Sequence, residues 1–161
     1  ELVNATEATR TWGTEFLARW RWEPFQLAAT HTYLRSTESV PGGAGRRDVP
    51  LTPRHAVGVV GMWEEENVGR IGLEMYHTGR QALEENPSRA TSRPYTSLGV
   101  LAERRFGPAR LFVNLENLLD VRQTKYDRLV LPSRSSNGRW TTDVWAPLEG
   151  RVINAGVRLE F

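Results

Sequence analysis

The sequence predicts an all-β chain: an antiparallel transmembrane β-barrel segment of about seven long strands, with short turns at one end and long loops at the other. Three observations carry this. Apolar and polar residues alternate with period 2 over most of the chain. The connections between alternating runs are short and long by turns. Aromatic residues gather near the short turns.

The runs are taken in chain order. Trp12, Phe16, Ala18, Trp20 and Trp22 oppose Glu15, Arg19 and Arg21. Phe25, Leu27, Ala29 and Tyr33 form one face of the next run, with His31 among them. The run 55–63 is less clean: Val57, Val59 and Trp63 on one side, Val60 and Met62 on the other. In 68–79, Ile71, Leu73 and Met75 oppose Arg70, Glu74 and Tyr76. In 95–106, Leu98, Val100 and Ala102 oppose Ser97, Gly99, Glu103 and Arg105. In 110–120, Leu111, Val113, Leu115 and Leu119 share a face interrupted by Asn117, against Arg110, Phe112, Asn114, Glu116 and Leu118. Last, Ile153, Ala155, Val157, Leu159 and Phe161 oppose Asn154, Gly156, Arg158 and Glu160. A strand produces this pattern because successive side chains point to opposite sides.

The connections at 22–25, 65–69 and 105–109 are tight; those at 37–54, 80–93 and 121–150 are long. Trp20, Trp22, Phe25, Trp63, Phe106 and Phe161 cluster toward the tight end, as rings do where one side is apolar and the other wet. Alternation alone fits a soluble sandwich or lipocalin-like barrel as well as a membrane barrel. Strand length, loop asymmetry and the aromatic ends favour the membrane.

Composition bounds the rest. With 161 residues the chain is the size of one domain, 1–161. Twenty-one basic and 19 acidic residues leave a net charge of +2, too balanced for a dedicated nucleic-acid binder. The absence of cysteine excludes disulfide scaffolds and thiol chemistry. The longest uncharged stretch, 24–34, is eleven residues, whereas a membrane-spanning helix needs about 20 apolar ones. The chain starts at Glu1 without an initiator Met or a signal peptide, which reads as a processed chain or a piece of a longer one.

No catalytic constellation emerges. Glu64, Glu65 and Glu66 adjoin a turn and read as solvated charges. Glu84, Glu85 and Asn86 read as a solvent-facing loop ahead of a cation site. The glycine-rich 42–45 lacks the Lys-Ser/Thr pair of a phosphate loop. His31, His55 and His77 fall on three strands without metal-ligand spacing. Arg46 and Arg47 are candidate contacts for an anionic ligand at the loop end, against a plain solvated loop. No enzyme, metal or cofactor is expected.

The final residues carry Asn154, Gly156, Leu159 and Phe161 at the spacing that resembles the terminal signal of bacterial outer-membrane barrels. That resemblance implies recognition by the barrel assembly machinery. The segment Leu-Phe-Val-Asn-Leu-Glu-Asn-Leu-Leu-Asp at 111–120 resembles the penultimate strand of TonB-dependent receptors, with Leu119 replacing the usual aromatic. Residues 9–16, 27–34 and 52–55 resemble strand openings of the same family.

The resemblance implies the carboxyl-terminal part of a 22-stranded barrel whose signal peptide, TonB-contacting segment and plug lie elsewhere. The short turns would then be periplasmic and the long loops extracellular, in the outer membrane of a Gram-negative-type bacterium. The implied parent imports a scarce ligand such as an iron complex, cobalamin or other nutrient. Its partners would be outer-membrane lipid, the assembly machinery, the rest of the receptor and, through that, TonB. Two alternatives stand beside it: a small stand-alone porin or adhesin barrel, which an eighth strand would favour, and a soluble ligand-binding β-barrel. A segment is expected to form a curved open sheet with the last strand paired to 111–120. A stand-alone barrel is expected to close, first strand on last.

Overall fold

The computed structural model describes residues 8–41, 43–84, 86–136 and 138–160. Gly42, Glu85, Asn137 and Phe161, each part of a segment or motif named above, lie outside them. The described residues form one antiparallel sheet of eight strands: β1 (Arg10–Trp22), β2 (Phe25–Ser39), β3 (Arg46–Asp48), β4 (His55–Glu65), β5 (Gly69–Thr78), β6 (Tyr95–Phe106), β7 (Ala109–Glu116) and β8 (Val152–Leu159). The order is β1-β2-β4-β5-β6-β7-β8, with β3 paired to β2 alone. The sheet is open: β1 and β8 are not hydrogen-bonded to each other. The eighth strand is therefore not a further wall strand. It is three residues of the β2–β4 loop folded against the end of β2.

The seven long strands run 8 to 15 residues. The run at 110–120 stops earlier than alternation indicated. β7 ends at Glu116, because Asn117 (φ 50°) and Asp120 (φ 52°) turn the chain through the left-handed region. Leu119 thus belongs to the turn and not to the strand face.

The register explains the shape. Trp22 pairs with Phe25 at the first turn, and Phe25 also lies opposite Trp63. The β4–β5 hairpin continues two residues further, to Glu65 opposite Gly69. Gly69 lies opposite Arg104, and the β6–β7 hairpin continues two further again, to Phe106 opposite Ala109. Each hairpin is thus displaced one residue per strand. At about 3.3 Å per residue and about 4.8 Å between strands, that offset corresponds to a tilt of about 35°, where barrel sheets close. Gly107 (φ 57°) supplies the left-handed residue that a two-residue hairpin turn needs before Pro108.

The three tight turns share one end of the sheet, and the long connections share the other. No helix among the described residues is long and apolar enough to cross a membrane. The buried apolar side chains Leu131, Trp145 and Ala146 lie in the β7–β8 connection, not between strands. Most of the large apolar side chains of the strands face outward and are exposed instead.

Candidate functional site

The pairing register joins the separate alternations into two continuous faces. On the outward face Trp20 pairs with Leu27, Leu27 with Gly61, and Gly61 with Leu73. Leu73 pairs with Val100, Val100 with Leu115, and Leu115 with Ile153. Phe16, Leu27, Ile71, Leu73, Val113, Ile153 and Val157 are all exposed, so this face is an unbroken apolar band crossing all seven long strands.

Aromatic side chains bound the band at both ends. Trp20 and Trp22 pack edge-on at 6.0 Å beside Phe25 at the turn end. Trp12 and Tyr33 pack edge-on at 5.5 Å at the loop end. The three histidines join this second girdle. His31 and His55 share a hydrogen bond, 3.2 Å between ring nitrogens, and His77 bonds Thr96 at 2.9 Å. Sequence spacing could not show the His31–His55 contact, because it depends on how β2 and β4 are registered.

The inner face is ionic. Glu103, 6% exposed, is bound by Arg70 at 3.2 Å and Arg110 at 3.3 Å. Arg110 also pairs with Glu160 at 2.8 Å, and Glu160 with Arg105 at 3.4 Å. This ladder crosses β5 to β8. With Glu64 and Arg21 it borders a hollow of about 850 Å³. Beside it an apolar island of Val60, Met62, Leu101 and Phe112 lines a second hollow.

The loop end is a built structure. Gln123, fully buried, donates to the Asp143 carbonyl at 2.7 Å and accepts from the Trp145 amide at 2.8 Å. Trp145 donates from Nε1 to Asp127 at 2.9 Å, and Asp127 is paired with Arg89 at 2.8 Å. Gln81 donates to the Trp145 carbonyl at 3.1 Å, and the Glu84 amide donates to Asp143 at 2.9 Å. These contacts join the β5–β6 and β7–β8 loops. The Leu51 amide, donating to the Ala82 carbonyl at 2.9 Å, adds the β2–β4 loop.

Arg47 reinforces that third link, pairing with Glu84 at 2.6 Å and Glu38 at 2.8 Å. Its guanidinium is held above its ordinary pKa, first by the Glu84 hydrogen bond, against the opposing effect of partial burial. Arg46 donates to the Thr37 carbonyl at 2.6 Å and the Ala8 carbonyl at 3.1 Å. The two candidate ligand contacts thus sit on opposite faces of β3, both bonded within the chain.

The Glu-Asn-Leu-Leu-Asp segment acquires a physical role. Asn117 accepts from the Val121 amide at 2.9 Å through Oδ1. Through Nδ2 it donates to the carbonyls of Val121 at 2.9 Å and Glu149 at 3.1 Å. One side chain therefore clamps the strand exit to the returning chain. Of the terminal-signal residues, Asn154 and Gly156 lie on the inner face of β8, and Leu159 on the outer. A Cβ on Gly156 would come within 2.8 Å of the Phe112 ring, which lies across it. Among the described residues no three His, Asp or Glu side chains converge as metal ligands.

Tilted strands, an outward apolar band between aromatic girdles and an ionic inner face define an open segment of a β-barrel wall. The structure of the ferric-catecholate import receptor Fiu from E. coli K12, in its closed form, is similar: TM-score 0.65 over 95% of this chain at 14% identity. The chain spans 21% of that receptor's length. The likeness is one of fold. No family model matches the chain, and no curated protein matches it in sequence.

Proposed function

We propose that this sheet is part of the barrel wall of an outer-membrane import receptor of the TonB-dependent type. The outward band would meet lipid, the ionic face would line the lumen, and the loop cap would form part of the extracellular mouth. The observation that carries this is the height of the band. Trp12 and Trp22 are ten residues apart on one strand. At about 3.3 Å per residue and about 35° of tilt they are separated by about 27 Å along the barrel axis, against the apolar band of about 25 Å typical of outer-membrane barrels.

The open edges support a wall segment over a self-sufficient porin or adhesin, which would need β1 bonded to β8. The apolar island on the inner face suits a packed lumen filled by a plug. No catalytic chemistry is assigned: the wall carries a ligand only together with the plug and the remaining strands. The imported ligand is a scarce nutrient complex, and a ferric chelate is the first to assay.

The test uses the protein as its gene encodes it. It is expected in the outer-membrane fraction, resistant to carbonate extraction, with uptake of its ligand lost when TonB is removed. Recovery as a monodisperse soluble protein without detergent would reject the membrane assignment. Uptake that persists without TonB would reject the receptor type.

A further inference from the structure

Directly above the loop-end girdle, along β3, a cavity of about 400 Å³ is bordered on the outward face by Arg10, Trp12, Arg35, Thr37, Arg46 and Asp48, with Arg47 of the other face also at its border. Arg10 lies opposite Thr37 and Trp12 opposite Arg35, so the two guanidiniums occupy diagonal positions on adjacent strands. Neither the Arg10 nor the Arg35 guanidinium makes a hydrogen bond or ion pair among the described residues. The Asp48 carboxylate beside them is engaged by Arg54 at 2.8 Å. Arg46, on the same face of β3, is anchored by the Thr37 carbonyl.

Two uncommitted guanidiniums stand immediately over a Trp–Tyr pair at the rim of an apolar band. A chain that only needed solubility there gains nothing from turning them toward the lipid side. Guanidinium suits phosphate because its fork of N–H donors matches the oxygens in geometry and charge. The level matters as much as the charge. Rings such as Trp12 and Tyr33 sit at the headgroup depth of a bilayer, so the group presented to Arg10 and Arg35 is a headgroup.

The geometry points to a binding site for the phosphate of an anionic lipid in the leaflet on the long-loop side, held by Arg10 and Arg35 with the acyl chains against the apolar band below Trp12. It rests on the assignment of the outward face to lipid.

The test reconstitutes the protein as its gene encodes it into phosphatidylcholine vesicles carrying spin-labelled phosphatidic acid or spin-labelled phosphatidylcholine. The protein-bound fraction of each label is read by electron spin resonance. Phosphatidic acid is expected to be enriched by about five-fold or more, since each arginine near an anionic surface contributes roughly that factor. Arg10→Gln with Arg35→Gln is expected to bring the ratio close to unity. Arg19→Gln, on the inner face, and added inorganic phosphate are expected to leave it unchanged. A wild-type ratio of one, an unaltered ratio in the double variant, or an equal loss with Arg19→Gln overturns the site. Full competition by inorganic phosphate assigns it to the soluble ion and overturns the lipid. Failure to insert into either vesicle overturns the membrane assignment and this site together, whereas insertion without preference overturns the site alone.

Discussion

Asn117 and Asp120 show how much a few polar atoms hold at the exit of β7. Asn117→Ala removes one acceptor and the donors that reach the returning chain at 149 and 150, and puts alanine at a φ of 50°. A cost of about 1–3 kcal/mol is expected, read as faster proteolysis of the 117–151 loop, with β7 and β8 still paired. Asp120 is paired with Lys125 at 2.7 Å and Arg122 at 3.1 Å. Chiefly through the Lys125 hydrogen bond, and against some burial, its carboxyl is held below the ordinary aspartate range. A depressed folded pKa means this contribution is complete above the unfolded value of about 4 and fades as pH falls through the folded one. Hydrogen-exchange protection around Val121 should therefore weaken below about pH 4 and lose that dependence in Asp120→Asn. The motif was legible as a pattern of letters in the sequence. Its reason was not, because the groups that Asn117 bonds include residues more than 30 positions away.

Strand alternation was legible because a period of two is a local property, readable without knowing any neighbour. Register was not, since pairing partners lie on other strands. That is why the histidine contact and the ladder at Glu103 emerge only in three dimensions. The faces are now separable by experiment. Leu73→Arg and Val157→Arg place a charge within the apolar band and are each expected to cost about 2–4 kcal/mol, measured by urea titration of the refolded full-length protein in bilayers. Glu116→Gln is expected to change little, because among the described residues its carboxylate accepts only from the Asn114 side-chain amide. Arg70→Gln, an inner-face charge that alternation alone would treat as equally neutral, is expected to fall between these. It withdraws one of two cations from Glu103, a loss of about 1.5–3 kcal/mol for a hydrogen bond between charged groups. Equal effects across all four substitutions would refute the division into faces.

At the scale of the molecule, the apolar core has moved from the sheet to the loops. A long polar segment without periodicity reads as a linker, and 121–150 read so, although Trp145 within it is 3% exposed. The interactions that order it run from side chain to backbone and from side chain to side chain, over separations as long as the 64 positions from Gln81 to Trp145, which no local pattern encodes. Trp145→Ala is expected to cost about 3–5 kcal/mol of cap stability. Limited proteolysis should then cut within both the β5–β6 and β7–β8 loops while the strands stay protected; cleavage confined to one loop would show that the two are not a unit. The one-residue stagger between strands has a consequence of its own. A row of hydrogen-bonded residues followed round the wall climbs like a screw thread. Arg104 and Val157 share such a row through Leu111, yet Arg104 lies next to a turn while Val157 sits higher in the band. A thread of this kind meets itself only if its total advance is an even number of residues, because side chains change sides at every step. Any strands that bond the edges of β1 and β8 into a closed wall must therefore bring the advance to an even total, or the apolar face of one edge would run into the ionic face of the other.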